Sequence, residues 1–277
     1  MRKKLNFDFS IGLIIVGFYL LWMFLWSINS FFIKGSLFNP YWPKGTLEQE
    51  LLKPFTDGLI LGTDLYGRSL FETLSAGVFY SIGIAFLVSI CCAVIGSIVG
   101  YLSVRAHRGI GIIADYTTNL VFIFPGLLIA IIVMSVTGSS IGGLILALVI
   151  TGWSPYSRIV RGECKRILGL SYVEASEALG ISEIRLFFKI IVPAIIPQLM
   201  VHIVLGISGV IISESALGFL GLGGSEYSWG SLLSQAKDVL LEAPHLTVIL
   251  SFFMGVLIIG LNLLGDGLRD YLDPYSR

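Results

Sequence analysis

Five stretches of this 277-residue sequence contain no Asp, Glu, Lys or Arg: Phe9–Ile33, Thr73–Val104, Tyr116–Ser157, Ile190–Ser213 and Leu246–Gly265. A helix rises about 1.5 Å per residue, so about 20 apolar residues cross the hydrocarbon core of a bilayer. Each stretch has that length. Tyr116–Ser157 is long enough for two crossings, with "TGSSIGG" (Thr137–Gly143) as the turn between them. None alternates polar and apolar residues as barrel strands do. The expected fold is an all-α membrane protein, a polytopic bundle of six transmembrane helices. Composition agrees, since 13% of the residues are charged against roughly 25% in soluble domains. The formal net charge of zero gives no bulk electrostatic reason for a nucleic-acid partner.

The opening "MRKK" followed by an apolar run resembles a secretory signal. The run is long, rich in aromatics and lacks a small-x-small cleavage site, so an uncleaved first span is the better reading. Cys91 and Cys92 are adjacent and Cys164 lies elsewhere. That spacing suits small packing residues, not a disulfide framework or a metal site.

Orientation follows from Lys and Arg. With the N-terminus inside, the inner segments hold Arg2, Lys3, Lys4, Arg105, Arg108, Arg158, Arg161, Lys165, Arg166, Arg185, Lys189, Arg269 and Arg277. The outer segments hold Lys34, Lys44, Lys53, Arg68 and Lys237. Both termini are therefore expected in the cytoplasm. The chain divides into an N-terminal span with its external segment, residues 1–72, and a core of residues 73–277.

The stretch from Arg158 to Lys189 carries ten formal charges. Burying them in lipid at about 2.5–3.5 kcal/mol each would cost on the order of 25–35 kcal/mol, so residues 158–190 form a large internal loop. Within it, Ser171 and Glu174 have the spacing of a capping box. Gly180 suits the left-handed residue that ends a helix. A second helix begins near Ser182 and runs past Pro193 and Pro197 into the fifth span. The first helix is too short to be stable alone and so needs a docking surface. Ala175, Ala178 and Leu179 line one stripe of it, with Glu174 and Glu177 beside them. A solvated connector is the plainer alternative.

On the outer side, Thr46 and Gln49 also have capping-box spacing, for a short surface helix. Asp64 and Arg68 are open between solvated loop charges and a packing role. "ESALGFLGLGGSEYSWG" (Glu214–Gly230) is glycine-rich, and such backbone near the membrane must be covered by protein or water. Trp229, Leu232, Leu233, Ala236, Val239 and Leu240 repeat at helical spacing and predict an amphipathic helix on the outer face. His202, Glu214 and Asn262 lie in or at the ends of spans, with Asp266 just beyond. Intramembrane ionisable groups are functional candidates, although a lone His is more often a hydrogen bonder between helices. Gly83, Gly96 and Gly100 suit close helix packing. No catalytic constellation, metal-ligand spacing or G-x-x-x-x-G-K-[ST] phosphate loop occurs in the sequence.

The segment from Glu174 to Pro193 resembles the EAA motif, E-A-A-x3-G-x9-I-x-L-P, of ABC-importer permease subunits. Glu174, Ala175, Gly180, Ile190 and Pro193 match at full spacing, while Ser176 replaces the second Ala and Val192 the Leu. "GTDLYGRSLFETLSAG" resembles the GTDxxGRDxxSRxxxG pattern of the dipeptide, oligopeptide and nickel permeases, and "WSPYSRIVRGE", "ESALGFLGLG" and "LNLLGDGLRDYLDP" resemble later blocks of the same group, most closely its second, C-type chain. Ser69, Glu72, Thr73 and Gly218 depart from that pattern.

The resemblance implies a type I transmembrane domain whose loop residues Glu174, Ala175, Ser176, Gly180, Ile190 and Pro193 form an ATPase-coupling helix. It implies a second permease subunit, one or two cytoplasmic ATPase subunits carrying ATP and Mg, and an extracellular or periplasmic substrate-binding protein. It also places the chain in a bacterial or archaeal inner membrane. Asp64, Arg68, Glu214 and His202 are the candidates for the external segment and pathway. The expected cargo is di- or oligopeptides, with nickel or a metal–chelator complex as the alternative. A stand-alone secondary transporter or channel is the reading from a different class.

Overall fold

A computed structural model describes residues 7–34, 41–56 and 58–272. Arg2, Lys3, Lys4, Pro40 and Arg277 lie outside the described residues. The order is α1 (Phe7–Lys34), α2 (Leu70–Arg105), α3 (Arg108–Ile123), α4 (Gly126–Thr137), α5 (Ile141–Gly152) and α6 (Ser154–Leu168). Then come α7 (Ser171–Ala178), α8 (Glu183–Leu186), a π-turn (Phe187–Ile191), α9 (Val192–Phe219), α10 (Trp229–Asp238) and α11 (Pro244–Leu272). A single 3-10 turn, Leu47–Gln49, precedes α2. Among the described residues, β-pairing is limited to two isolated bridges.

Among the described residues five helical segments are long and apolar enough to cross a membrane; α3 and α4 qualify only together, across a bend of 92°, and the number is six when that pair is counted as one span. The bend falls at Phe124–Pro125. Proline has no N–H for the carbonyl of residue 121 and its ring crowds that carbonyl, while the residue before it is driven extended. Phe124 accordingly has φ −72° and ψ 140°. The turn expected at Thr137–Gly143 is present: α4 ends at Thr137 and the Ser140 hydroxyl accepts the Gly143 N–H (3.1 Å) at the start of α5. The internal loop is more ordered than its charge alone suggests. Residues 158–168 continue α6, and residues 183–190 already belong to the stalk leading into α9.

At the centre α2 packs along α6. A Cβ at Gly96 would lie 2.5 Å from Cβ of Tyr156, and one at Gly100 would lie 2.6 Å from the Ser157 carbonyl oxygen. These two glycines bring the helices together as expected. Gly83 does not, because a Cβ there would meet open space. The first and last helices pack on each other, with Gly12 against the backbone of Leu264 and Gly260 against Ile15. The Tyr19 hydroxyl donates to the Phe253 carbonyl (2.6 Å). The outward faces of α1 and α11 show large apolar side chains, among them Ile14, Phe24, Val248 and Phe252, as lipid contact requires.

The amphipathic helix predicted around Trp229 is α10. Its apolar face (Trp229, Leu232, Ala236) is buried over the bundle, and the Trp229 indole donates to the Leu74 carbonyl (3.3 Å). Val239 and Leu240 fall beyond its end. The Ser228 hydroxyl caps α10 by accepting the Ser231 N–H (3.2 Å). Ser228→Ala should cost about 1 kcal/mol, read as a lower melting temperature of the purified protein with uptake retained.

Neither expected capping box forms. In the 3-10 turn the Gln49 N–H, the donor a capping box would give to the Thr46 hydroxyl, already donates to the Thr46 carbonyl (3.0 Å). For α7 the cap is Leu170, not Ser171. The short link from α6 has Leu170 N–H on the Ile167 carbonyl and Leu170 C=O accepting from Val173 and Glu174. That starts the helix one residue early and places Ser171 inside its first turn.

Candidate docking site

Helix α7 projects from the end of the bundle where α2, α6 and α11 finish. One side chain roots it: Val173 is fully buried among Tyr101, Val160, Cys164, Ile167, Leu186 and Ile191. Its C-terminus closes as a Schellman motif. Gly180 has φ +80°, its N–H donates to the Glu177 carbonyl (2.9 Å), and the Ile181 N–H donates to the Ser176 carbonyl (3.2 Å). The glycine expected to end the helix thus does so by the expected geometry. The Ser176 hydroxyl donates back to the Tyr172 carbonyl (2.8 Å), so it is already engaged within the helix.

The rest of α7 faces outward. Glu174, Ala175 and Ala178 are exposed, Tyr172 is 54% exposed and Leu179 is 89% exposed. Leu179, directly after this eight-residue helix, is an open apolar side chain close in sequence to the charged Glu174 and Glu177. Small neighbours on each side allow a partner surface to approach closely.

Beyond Gly180 the chain turns through Ser182 into α8 and the π-turn. Pro193 explains the wider turn. It cannot donate to the Lys189 carbonyl and its ring would press on it, so the ladder loosens over Phe187–Ile191 before α9 resumes. Ile190 lies in that π-turn, against the cluster that holds Val173.

Arg105, the last residue of α2, lies beside this elbow. Its Nη1 lies 2.9 Å from Glu177 Oε1, an ion contact without hydrogen-bond alignment. Its Nε donates to Glu183 Oε2 (3.2 Å) and its Nη2 to Glu183 Oε1. The Tyr101 hydroxyl also donates to Glu183 (2.8 Å). In the sequence Arg105 counted only toward orientation, because its partner Glu183 lies 78 residues further on and no local spacing links them.

The four external and pathway candidates do not form one site. Asp64 and Arg68 are each 5% exposed and pack against each other. Asp64 Oδ1 accepts the N–H groups of Tyr66 and Arg68 (2.9 Å each), and Oδ2 accepts Arg68 Nε (2.7 Å). The Arg68 guanidinium donates to Gln235 of α10 (3.1 Å) and lies over the rings of Tyr66 and Tyr227. Trp42 stacks on Tyr227 at 4.5 Å, so the external segment is fastened to the loop before α10. Burial holds the Tyr227 phenol above its ordinary pKa.

Glu214 is fully buried in α9, accepting from the hydroxyls of Ser81 (3.2 Å) and Ser215 (3.4 Å). His202 lies 12 residues earlier on α9, about 18 Å along the helix. Its ring nitrogen is 3.4 Å from Gln198 one turn away, so its polar neighbour is on its own helix. The link from α9 to α11 is made instead by Ser208 donating to Asn262 (2.9 Å). An open polar groove of about 420 Å³ lies beside α10, lined by Ser139, Gly223, Gly224, Ser231, Ser234 and Gln235 among others. None of the four candidates lines it. Among the described residues there is no grouping of three or more His, Cys, Asp and Glu side chains fit to hold a metal.

Comparison with known proteins places this arrangement. The glutathione transport system permease protein GsiD of Pectobacterium atrosepticum is 33% identical over 219 residues, covering 77% of this chain and 70% of that protein. The dipeptide transport system permease protein DppC of Alkalihalophilus pseudofirmus is 29% identical over 218 residues, covering 78% and 72%. An amino acid ABC transporter crystallised with histidines shares the fold with a TM-score of 0.54 at 14% identity, over 71% of this chain and 92% of the other. Residues 93–277 match the family model described as "Binding-protein-dependent transport system inner membrane component", and the chain belongs to that family of ABC-importer permease subunits.

Proposed function

We propose that this permease subunit carries di- or oligopeptides, taking them from an extracellular or periplasmic binding protein. Cytoplasmic ATPase subunits, which hold ATP and Mg, then drive its alternation through α7. The observation that carries the coupling reading is the exposed face of Glu174, Ala175, Ala178 and Leu179 on a helix rooted by Val173. Such a helix is built to be gripped. Glu174, Ala175 and Ser176 form its middle, Gly180 its stop, and Ile190 with Pro193 the loosened stalk that joins it to α9.

The α7 end is read as cytoplasmic. Phe9 at the start of α1 stacks on Tyr271 at the end of α11 (6.2 Å), so these two helix ends lie together, on the side where α7 and the Arg-rich end of α6 are found. The bent α3–α4 pair presents an apolar face, including Ile113, Ile123, Leu128 and Ile132, that a second permease subunit would cover. The names of the relatives support peptide cargo, one being a glutathione and the other a dipeptide permease.

The test is uptake of labelled di- and oligopeptides, and separately of labelled nickel with and without chelators, in cells lacking only this chain. The expected outcome is loss of peptide uptake alone. Loss of nickel uptake alone refutes the cargo and keeps the mechanism. Co-purification of an ATPase with the wild-type chain is expected as well, and its absence refutes the coupling reading.

A further inference from the structure

The elbow between α7 and α8 spans only Leu179–Ser182 and turns at Gly180, whose φ is +80°. Val173 is the fully buried side chain of α7, and the bonds from Gly180 N–H to Glu177 and from Ile181 N–H to Ser176 close its last turn without reaching α8. The angle is held by the charges of Arg105, which reach Glu177 before the elbow and Glu183 after it. Tyr101, one turn earlier on α2, adds its hydroxyl to Glu183, and its ring packs on Phe187 of the π-turn at 4.7 Å.

As a source of stability this cluster counts for little. The Arg105 side chain is 27% exposed and that of Glu183 59%, and ion pairs so open to water are screened. Its geometry has a different use. Arg105 ends α2, whose opposite end packs under α10 with Gly77 against the Trp229 indole. Glu183 begins the stalk that becomes α9. The guanidinium therefore joins three elements: the docked helix, the stalk and the central span.

We propose that Arg105 is a positioning residue that makes α7, α8–α9 and α2 move as one body, so that displacement of α7 reaches the spans without being absorbed at the Gly180 elbow. This rests on the docking role assigned to α7 above. It assigns to Arg105, Glu177, Glu183 and Tyr101 the part of a latch between force and pathway.

The experiment uses the whole complex of this chain with its partners in proteoliposomes, measuring ATP hydrolysed and labelled dipeptide imported in the same vesicles. With Arg105→Ala, the ATP consumed per dipeptide imported should rise about tenfold, within the ordinary range of coupling between sites. Arg105→Lys retains a charge that can hold one carboxylate and should recover much of the coupling. Glu183→Gln should act in the same direction as Arg105→Ala and add little to it in the double variant. It also stands in for Arg105→Ala should that variant not assemble.

An unchanged ratio in Arg105→Ala and Glu183→Gln overturns the latch. So does a fall in hydrolysis and import by the same factor, which is the signature of a merely structural role. If no ATPase accompanies the wild-type chain, the docking reading itself has failed and the latch falls with it. If the ATPase is present and the ratio does not move, only the latch is wrong.

Discussion

Replacing Gly180 with valine should reduce peptide uptake at least tenfold while the chain remains in the membrane. The cost lies in the backbone. A Cβ at Gly180 would meet nothing within 4 Å, but the residue has φ +80°, a region that costs an L-residue about 1–2 kcal/mol and a β-branched one more. Paying that strain in place, or escaping it by undoing the Schellman bonds to Glu177 and Ser176, are the two outcomes open to the chain. α7 is barely two turns long, with Val173 as its fully buried side chain and Glu177 as its contact to Arg105, so release is the easier course. Leu179 and Ala178 then point elsewhere. The series is diagnostic. Asn, which tolerates left-handed backbone, should be nearly silent, Ala intermediate and Val most severe. Uptake assays with immunoblots of the membrane fraction check this, and normal uptake by a membrane-inserted Gly180→Val protein would remove α7 from the mechanism.

At the opposite end, Asp64→Ala should produce the largest loss of stability of the substitutions considered. It leaves the Arg68 guanidinium buried with its principal partner gone and strips acceptors from the N–H groups of Tyr66 and Arg68. Breaking a buried pair on one side costs about 3–5 kcal/mol. Asp64→Asn keeps an oxygen for the two backbone donors and should lose less. Removing both charges, as Asp64→Ala with Arg68→Met, should recover part of the loss because no uncompensated charge remains. Melting of the detergent-solubilised protein measures all three. If Asp64→Ala melts with the wild type, the pair is not what fastens the external segment to α10.

The spans were legible because lipid imposes a simple rule, and runs without charge reveal it. So was the outer helix α10, whose apolar stripe is strong enough to set its buried face. Gly180 could be placed at the end of α7 because left-handed backbone has a residue preference of its own. The capping boxes could not be judged from spacing. Whether a hydroxyl caps a helix depends on which N–H groups the adjoining turn has already used, and the links at Thr46 and Leu170 had used them. The bend at Pro125 was available in the sequence through the proline itself, but a long apolar run conceals a break that leaves its hydropathy unchanged. The Arg105 cluster was hidden for a different reason. Its members come from separate parts of the chain, and only the packing of α2 beside the elbow joins them. Asp64 and Arg68 were visible as a pair four residues apart, but burial decides what such a pair does, and the aromatic cover from Trp42 and Tyr227 comes from both sides of the sequence.

The packing of α1 on α11 bears on how the molecule is made. Tyr19 and the Phe253 carbonyl it bonds are 234 residues apart, and chains grow at about 5–20 residues per second. For roughly 10–50 seconds after it is synthesised, α1 waits in the bilayer without the glycine-lined face of Gly260 that it will finally rest on. Its aromatic, lipid-compatible surface suits that wait. The bundle around α1 is closed by α11, and a chain stalled short of α11 leaves α1 without the partner it packs on.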